Sequence, residues 1–378
     1  MKIGITCYPT YGGSGAIATE LGLKLAERGH ETHFISYAQP FRLDGFRERV
    51  FFHEVEMDRY PLFEHPPYTL ALAVAIHDTA LREGLDIVHV HYAIPHATSA
   101  WIAREMLGLE GGPPLVTTLH GTDVTLVGLH PSFHTITRFS ILQSQGITAV
   151  SSFLKEVTTR DFDVPEDRIR VIPNFVDTTR FRRDREPCHR DKLAPNGEKI
   201  IMHVSNFRPV KRVEDIVEIF AGVRAALPSR LVMVGDGPDR PRAEERAAEL
   251  GVADDVLFLG KISSVDELLS CADLFLMTSE SESFGLAALE ALSCGAPVVG
   301  YRAGGITEVV PDGEAGFLVP LGDIPAATDA AVKLLADPEL WQQFSDAGRA
   351  LSVNKYAVDQ VLPLYESYYE EILSRFGR

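Results

Sequence analysis

The chain opens Lys2-Ile3-Gly4-Ile5-Thr6-Cys7-Tyr8-Pro9-Thr10-Tyr11-Gly12-Gly13-Ser14-Gly15-Ala16. Residues 2–7 form a short β-type apolar run that Pro9 interrupts. The glycines then allow a tight turn, and residues 15–28 carry helical spacing closed by Gly29. A buried strand, a glycine turn and a helix make the first half of a βαβ unit, and such units build parallel sheets. The pattern recurs, with strands expected at 31–36, 87–91, 115–119 and 146–150. A helix is expected at 67–84, with Leu70, Val74, His77, Ala80 and Leu81 on one face. Five strands with crossovers make a doubly wound domain over residues 1–173.

The periodicity lapses after Val171-Ile172-Pro173-Asn174, and residues 174–198 are polar, proline-punctuated and rich in Arg and Asp, as a linker would be. A second alternating series follows, with strands expected at 199–204, 230–234, 256–259, 274–277, 297–301 and 316–319 and helices at 212–226 and 264–270. This is a second Rossmann-like domain, residues 199–356. Residues 357–378 are helical again, and Tyr365, Tyr368 and Tyr369 suit them to docking back on the first domain. The expected fold is α/β, two Rossmann-like doubly wound domains facing a central cleft. Open α/β sheets bind ligands at the carboxyl ends of their strands, so the chemistry is expected there.

Composition narrows the function. A length of 378 residues predicts two or three domains at roughly 100 to 200 residues each. With 45% hydrophobic and 24% charged residues the chain is globular, neither disordered nor fibrous. Acidic residues outnumber basic ones 53 to 36, and the net charge of −17 would repel nucleic acid and anionic lipid. The longest apolar run, near residues 70–76, falls far short of the roughly 18 residues of a membrane span. The first strand is too short for a signal segment, so a cytoplasmic location without stable membrane association is expected. Cys7, Cys188, Cys271 and Cys294 are widely spaced, which fits reduced thiols better than a disulfide frame or a zinc site.

Three constellations carry chemistry. In Gly12-Gly13-Ser14-Gly15 the backbone can approach a ligand closely, and free amides at a helix start attract phosphate or carboxylate. A tight turn without a ligand uses the same residues. The spacing Gly13-x-Gly15-x-x-Ala18 also fits a dinucleotide turn, but Ser36, Tyr37 and Ala38 stand where an NAD site wants an acidic residue. The second is Ser205-Asn206-Phe207-Arg208-Pro209-Val210-Lys211-Arg212, which collects three cations after the first strand of the second series, as a diphosphate requires. A solvated basic loop is the alternative. In the third, Glu282 precedes a helix start at Phe284-Gly285-Leu286 and Glu290 lies within the helix. Two carboxylates around helix-start amides suit the hydroxyls and phosphates of a nucleotide sugar.

The spacing from Glu282 to Glu290, with Phe284-Gly285-Leu286 inside, resembles the E-x7-E motif of retaining glycosyltransferases of the glycogen-synthase-like superfamily (family 4), which have the two-domain GT-B fold. Gly12-Gly13-Ser14-Gly15, His120-Gly121-Thr122-Asp123, Arg208 with Lys211, and Gly235-Asp236-Gly237-Pro238 arrive in family order, so the resemblance covers nearly the whole chain. Within the family, Ile3 to Pro9, Thr117 to Asp123 and Ser205 to Lys211 are similar to the branch of bacillithiol biosynthesis.

The resemblance implies transfer of N-acetylglucosamine from UDP-N-acetylglucosamine (UDP-GlcNAc) to the hydroxyl of L-malate, with retention and without a catalytic metal or other cofactor. Relatives with other acceptors, such as inositol phosphate or a lipid, carry the same motifs. His120, Arg208, Lys211 and Glu282 are the implied catalytic residues. Gly15, Asn206, Lys261, Phe284, Gly285, Leu286 and Glu290 are the implied donor contacts, Glu290 holding the ribose and the backbone near Lys261 the uracil. Many relatives have an Arg where Asn206 stands, so Arg208 must reach in from a different position. Malate carries two carboxylates, for which Ser14, Tyr92, Thr118 and Arg138 are the acceptor candidates; an ordinary surface charge explains Arg138 equally well. Family analogy implies a homodimer. A dehydrogenase and a non-catalytic nucleotide-sugar sensor are competing readings.

Three other signals are set aside. Asp161-Phe162-Asp163 has the D-x-D form of a metal motif but follows a helix rather than a strand. His89 and His91 point the same way along a strand, and His130 and His134 could share a helix face. Neither pair has a nearby third ligand in sequence, so neither predicts a metal site.

Overall fold

The computed structural model describes all residues except 11, 58–64, 109–111, 184–187 and 378. Tyr11, quoted above with the glycine turn, and residues 184–187 of the expected linker therefore lie outside the described residues. The chain divides into two units, Met1–Asn174 with Val361–Arg378, and Phe175–Gln360.

The first unit runs β1 (Lys2–Thr6), α1 (Gly13–Glu27), β2 (Glu31–Ser36), β3 (Val50–Glu54), α2 (Tyr68–Glu83) and β4 (Ile87–His91). It continues through α3 (Thr98–Met106), β5 (Leu115–Leu119), α4 (Pro131–Gln143), β6 (Gly146–Ala149), α5 (Ser152–Phe162) and β7 (Ile169–Val171). The sheet is parallel, in the order β3-β2-β1-β4-β5-β6-β7. It has seven strands where the sequence predicts five. The two additions are edge strands: β3 has no fully buried residue and β7 has three residues, so neither shows the continuous apolar run of a central strand.

The buried residues of α2 are Leu72, Ala73, Ile76, Thr79 and Ala80, of which Leu72, Ile76 and Ala80 pack with Val88, Val90 and Ala100. Leu70, Val74 and Leu81 are exposed, so the expected core face is rotated from the real one. The helix is apolar over much of its circumference, and periodicity cannot orient such a stripe.

The second unit contains α6 (Arg190–Leu193), β8 (Lys199–Val204), α7 (Val213–Ala226), β9 (Ser229–Val234), α8 (Arg240–Glu249), β10 (Val256–Gly260) and α9 (Val265–Leu269). Next come β11 (Leu274–Met277), α10 (Leu286–Ser293), β12 (Val298–Tyr301), α11 (Ile306–Val309), β13 (Gly316–Val319), α12 (Ile324–Ala336) and α13 (Pro338–Lys355). Its parallel sheet is ordered β10-β9-β8-β11-β12-β13. Isoleucines, leucines and phenylalanines from α7, β9, β11 and α12 fill its core.

Residues 175–183 and 188–198 are part of this unit rather than a free connection. Arg190 makes a bidentate pair with the buried Asp273, Arg180 pairs with the buried Asp266, and Ser293 Oγ donates to Phe181 O. Cys188 and Cys271 form a disulfide with Cα atoms 6.0 Å apart, contrary to the expectation of reduced thiols; Cys7 and Cys294 are free and buried. The pair is separated by 83 residues, and only the packing of residues 188–193 near α9 brings it together.

The last helix, α14 (Val358–Phe376), docks on the first unit from Val361 onward. Tyr368 OH accepts from Ile147 N at 2.9 Å, Tyr369 OH lies 2.7 Å from His89 Nδ1, and Glu371 pairs with Arg170. Among the described residues no helix is long and apolar enough to cross a membrane.

Candidate active site

In each sheet the order reverses beside the first strand, between β1 and β4 and between β8 and β11. The loops leaving these strands part there, opening a crevice at the carboxyl ends. Ser14 and Gly15 follow β1, Tyr92 follows β4, Asn206, Arg208 and Lys211 follow β8, and Glu282 follows β11, whereas Lys261 follows the edge strand β10.

In the first unit α1 starts at Gly13, with Gly12 as its extended N-cap. Gly15 is a steric requirement. A Cβ there would lie 2.5 Å from Tyr8 O and 2.8 Å from Thr10 O, so the turn closes on its own backbone only with glycine. Ser14 Oγ donates to Tyr92 OH at 3.1 Å. Tyr92, leaving β4, has φ +91°, a conformation costly for a residue with a Cβ.

The geometry of the loop after β5 comes from Asp123. Its buried carboxylate accepts from Ala93 N at 3.0 Å, Gly121 N at 2.9 Å and His120 N at 3.3 Å, tying the exits of β4 and β5 together. Burial raises the Asp123 pKa, and these backbone amides oppose the rise. The ring of His120 is nearly buried and lies 5.6 Å from that of Tyr92. Burial lowers the His120 pKa to about 3, and neighbouring His96 adds to the effect. His120 Nε2 is 2.8 Å from Nδ1 of the fully buried His91.

Ser14, Tyr92 and His120 thus come together. Thr118 does not join them through its side chain: its fully buried hydroxyl is 2.6 Å from His89 Nε2 and 2.7 Å from Thr148 Oγ1, inside the domain. Its carbonyl accepts from Tyr92 N at 3.0 Å, which ties β5 to the exit of β4. Arg138 lies on α4 and pairs with exposed Asp163 at 3.1 Å. His130 caps α4, and His134 bonds Asp161 O. Among the described residues no group of three or more His, Cys, Asp or Glu side chains could hold a metal ion.

In the second unit the loop after β8 is built on a buried histidine. His203 Nδ1 donates to Leu276 O at 2.9 Å, since a carbonyl can only accept, so Nε2 accepts from Ser205 Oγ at 2.8 Å. Ser205 Oγ in turn accepts from Phe207 N at 3.2 Å, supporting the turn at Phe207, whose φ is +39°. Burial lowers the His203 pKa to about 4, keeping this chain neutral. The sequence Gly235-Asp236-Gly237 lies against the same loop. A Cβ at Gly235 would meet Ser205 O at 1.7 Å, and one at Gly237 would meet Asn206 O at 2.0 Å.

Beyond that turn, Lys211 Nζ donates to Glu282 Oε2 at 2.8 Å, both side chains being mostly buried. Glu280 N donates to Val210 O at 2.8 Å, and Thr278 Oγ1 donates to the carbonyls of Lys211 and Arg212. The loops after β8 and β11 therefore form one rigid surface. Gly305 N donates to Glu282 O at 2.7 Å, and a Cβ at Gly305 would lie 2.2 Å from Ser283 O, so the loop after β12 braces the same surface.

Gly285, with φ +97°, is the N-cap of α10, which places Leu286 in the first turn and the buried Glu290 in the second. Phe284 is buried and packs edge-on against Tyr356. Arg208 and Asn206 are exposed on the loop, Arg208 without an ion pair among the described residues, and Lys261 is exposed after β10. Arg212, the third cation of the motif, is occupied by Asp215 at 2.8 Å.

Sequence reading quoted Asp123, Gly235 and Gly237 within motifs and set His91 aside as a metal ligand without giving any of them a supporting role, and it did not single out His203 or Gly305. Asp123 was legible as the last residue of His-Gly-Thr-Asp, where an Asp can cap its own turn. The two histidines carry no local signal, because their partners lie on other strands.

The family model for "Glycosyltransferase Family 4" matches residues 11–180, and that for "Glycosyl transferases group 1" matches residues 184–351. The chain is 45% identical to the N-acetyl-alpha-D-glucosaminyl L-malate synthase of Bacillus anthracis, over 99% of this chain and 97% of that protein. Sucrose-phosphate synthase from Thermosynechococcus elongatus superimposes with a TM-score of 0.83 at 20% identity, covering 99% of this chain and 100% of the other. Anabaena HepE in complex with UDP and glucose gives 0.80 at 19%, covering 98% and 99%. Two doubly wound units, a helix-start glycine turn on one and a braced Lys–Glu pair on the other agree with these matches: the chain belongs to the GT-B glycosyltransferases of family 4 and group 1, the family that includes the Bacillus anthracis N-acetyl-alpha-D-glucosaminyl L-malate synthase.

Proposed function

We propose that this enzyme transfers N-acetylglucosamine from UDP-GlcNAc to the hydroxyl of L-malate, with retention and without a catalytic metal, in the cytoplasm. The observation that carries the acceptor and donor assignment is the 45% identity to the Bacillus anthracis N-acetyl-alpha-D-glucosaminyl L-malate synthase over 99% of the chain. The leaving UDP gathers negative charge, and in this reading Arg208, Lys211 and the amide of Gly15 receive it. Preorganised donors of this kind supply a few kcal/mol each in a site that excludes water. Glu282 orients the Lys211 ammonium at 2.8 Å, so its charge is in position before the donor binds. Glu290 holds the ribose, and Glu282 with the backbone of Phe284, Gly285 and Leu286 holds the sugar hydroxyls, with His120 as a further sugar contact. Asn206 and the backbone near Lys261 complete the donor site.

Ser14 and Tyr92, already hydrogen-bonded to each other, are the first acceptor contacts. Arg138 supplies the cation once it leaves Asp163. The test is UDP release from UDP-GlcNAc with and without L-malate, in excess EDTA, with product mass and anomeric NMR. Malate-dependent, EDTA-resistant formation of an α-linked product is expected. UDP release no faster with malate than without it refutes the acceptor, and a screen including inositol phosphate then replaces it.

A further inference from the structure

Four histidines converge behind the first platform. His89, His91 and His96 are fully buried and His120 nearly so, and burial keeps each ring neutral. A neutral imidazole has one N–H and one bare nitrogen, and the hydrogen bonds decide which is which. His96 Nδ1 faces the carbonyl of His91 and must donate to it. His91 Nδ1 faces His120 Nε2 at 2.8 Å, and the buried His91 Nε2 has no hydrogen-bond partner among the described residues.

Two arrangements satisfy the His91–His120 bond. If His120 Nε2–H donates, the proton of His91 must sit on Nε2, leaving a buried N–H without an acceptor. If His91 Nδ1–H donates, the unpartnered atom is a bare nitrogen, and orphaned buried N–H groups are the rarer and costlier defect. The second arrangement fixes the His120 proton on Nδ1. That nitrogen has no hydrogen-bond partner among the described residues and is not among the sealed interior atoms.

We propose that His91 is a positioning residue which, through its hydrogen bond to Nε2, locks His120 as the Nδ1–H tautomer and so aims a neutral hydrogen-bond donor at an oxygen of the bound sugar. The sugar as recipient rests on the glycosyltransferase reading above; the tautomer itself does not. In His91→Asn the amide nitrogen takes the place of Nδ1 and preserves the donor, whereas His91→Phe removes it.

The experiment is a long-range ¹H–¹⁵N correlation on the full-length, ¹⁵N-histidine-labelled protein at neutral pH, with His120→Gln to assign the ring, beside kcat and KM for UDP-GlcNAc. Nδ1–H is expected for His120 in wild type and His91→Asn. His91→Phe is expected to admit the Nε2–H form and to lower kcat/KM at least about tenfold, against less than about threefold for His91→Asn. An Nε2–H His120 in the wild type overturns the proposal, as does equal loss in the two variants or an unchanged tautomer in His91→Phe. If His91→Phe does not fold, an Nε2–H His120 in His91→Asn overturns it equally. The spectrum needs no turnover, so an Nδ1–H His120 in a protein that fails to transfer to malate supports the tautomer lock while refuting the transfer reading.

Discussion

Gly15→Ala separates the geometry of the glycine turn from its stability. The new Cβ would lie 2.5 Å from Tyr8 O and 2.8 Å from Thr10 O, both backbone atoms that no rotamer change can move. To reach even about 3.4 Å, the start of α1 must withdraw by about 0.9 Å, the difference between 3.4 and 2.5. Overpacking of this kind costs about 1–3 kcal/mol, and the better helix propensity of Ala returns up to about 1 kcal/mol. The melting temperature should therefore fall by no more than about 12 °C, at about 2–4 °C per kcal/mol for a unit of this size.

Activity should respond far more. An amide moved by nearly an ångström no longer meets a phosphate oxygen at hydrogen-bond distance, and losing one such donor costs about 100-fold or more. Malate-dependent UDP release and differential scanning fluorimetry measure the two effects. Gly22→Ala is the control, because its Cβ meets only side chains, Phe34 at 2.4 Å and Ile5 at 2.8 Å. It should lower the melting temperature at least as much while leaving kcat per folded molecule within about threefold. If Gly15→Ala keeps kcat/KM within threefold of wild type, the turn does not deliver an amide to the reaction and the argument fails.

Lys211→Ala and Glu282→Gln should each reduce kcat at least about 100-fold, and the double variant should lose far less than the product of the two, because the residues act as one hydrogen-bonded unit; additive losses would separate their roles. Burial lowers the pKa of His89 and His120 to about 3 and of His96 and His203 to about 4. The unfolded chain regains about 6.5, binds more protons from there down to about 3, and so native stability must fall as pH falls through that window. Asp123, with a raised pKa, opposes this modestly. Thermal melts from pH 7 to 5 should descend with net proton uptake on unfolding, and a flat profile would falsify the neutral-histidine core. Tyr369→Phe removes the 2.7 Å partner of His89 Nδ1 and should cost about 1–3 kcal/mol by urea titration, whereas no change would mean that water replaces the phenol.

The alternation of β-type runs with helical spacing in residues 1–173 and 199–356 determined the fold class, because a strand buried on both faces and an amphipathic helix write their burial into local period. The same local code exposed the glycine turn, the loop from Ser205 to Lys211 and the spacing of Glu282 and Glu290, since backbone freedom and charge are properties of single residues and near neighbours. It could not orient α2 or register β3 and β7, whose pairing is decided by neighbours rather than period. It could not place the Thr118 hydroxyl, because a position at a strand end says nothing of which side of the sheet receives it. Only the tertiary structure brought Cys188 to Cys271, His91 to His120 and His203 to Leu276 O, across sequence separations of 83, 29 and 73 residues. Such pairings depend on strand order, and strand order follows from the free energy of packing the whole sheet, which no local window of sequence contains.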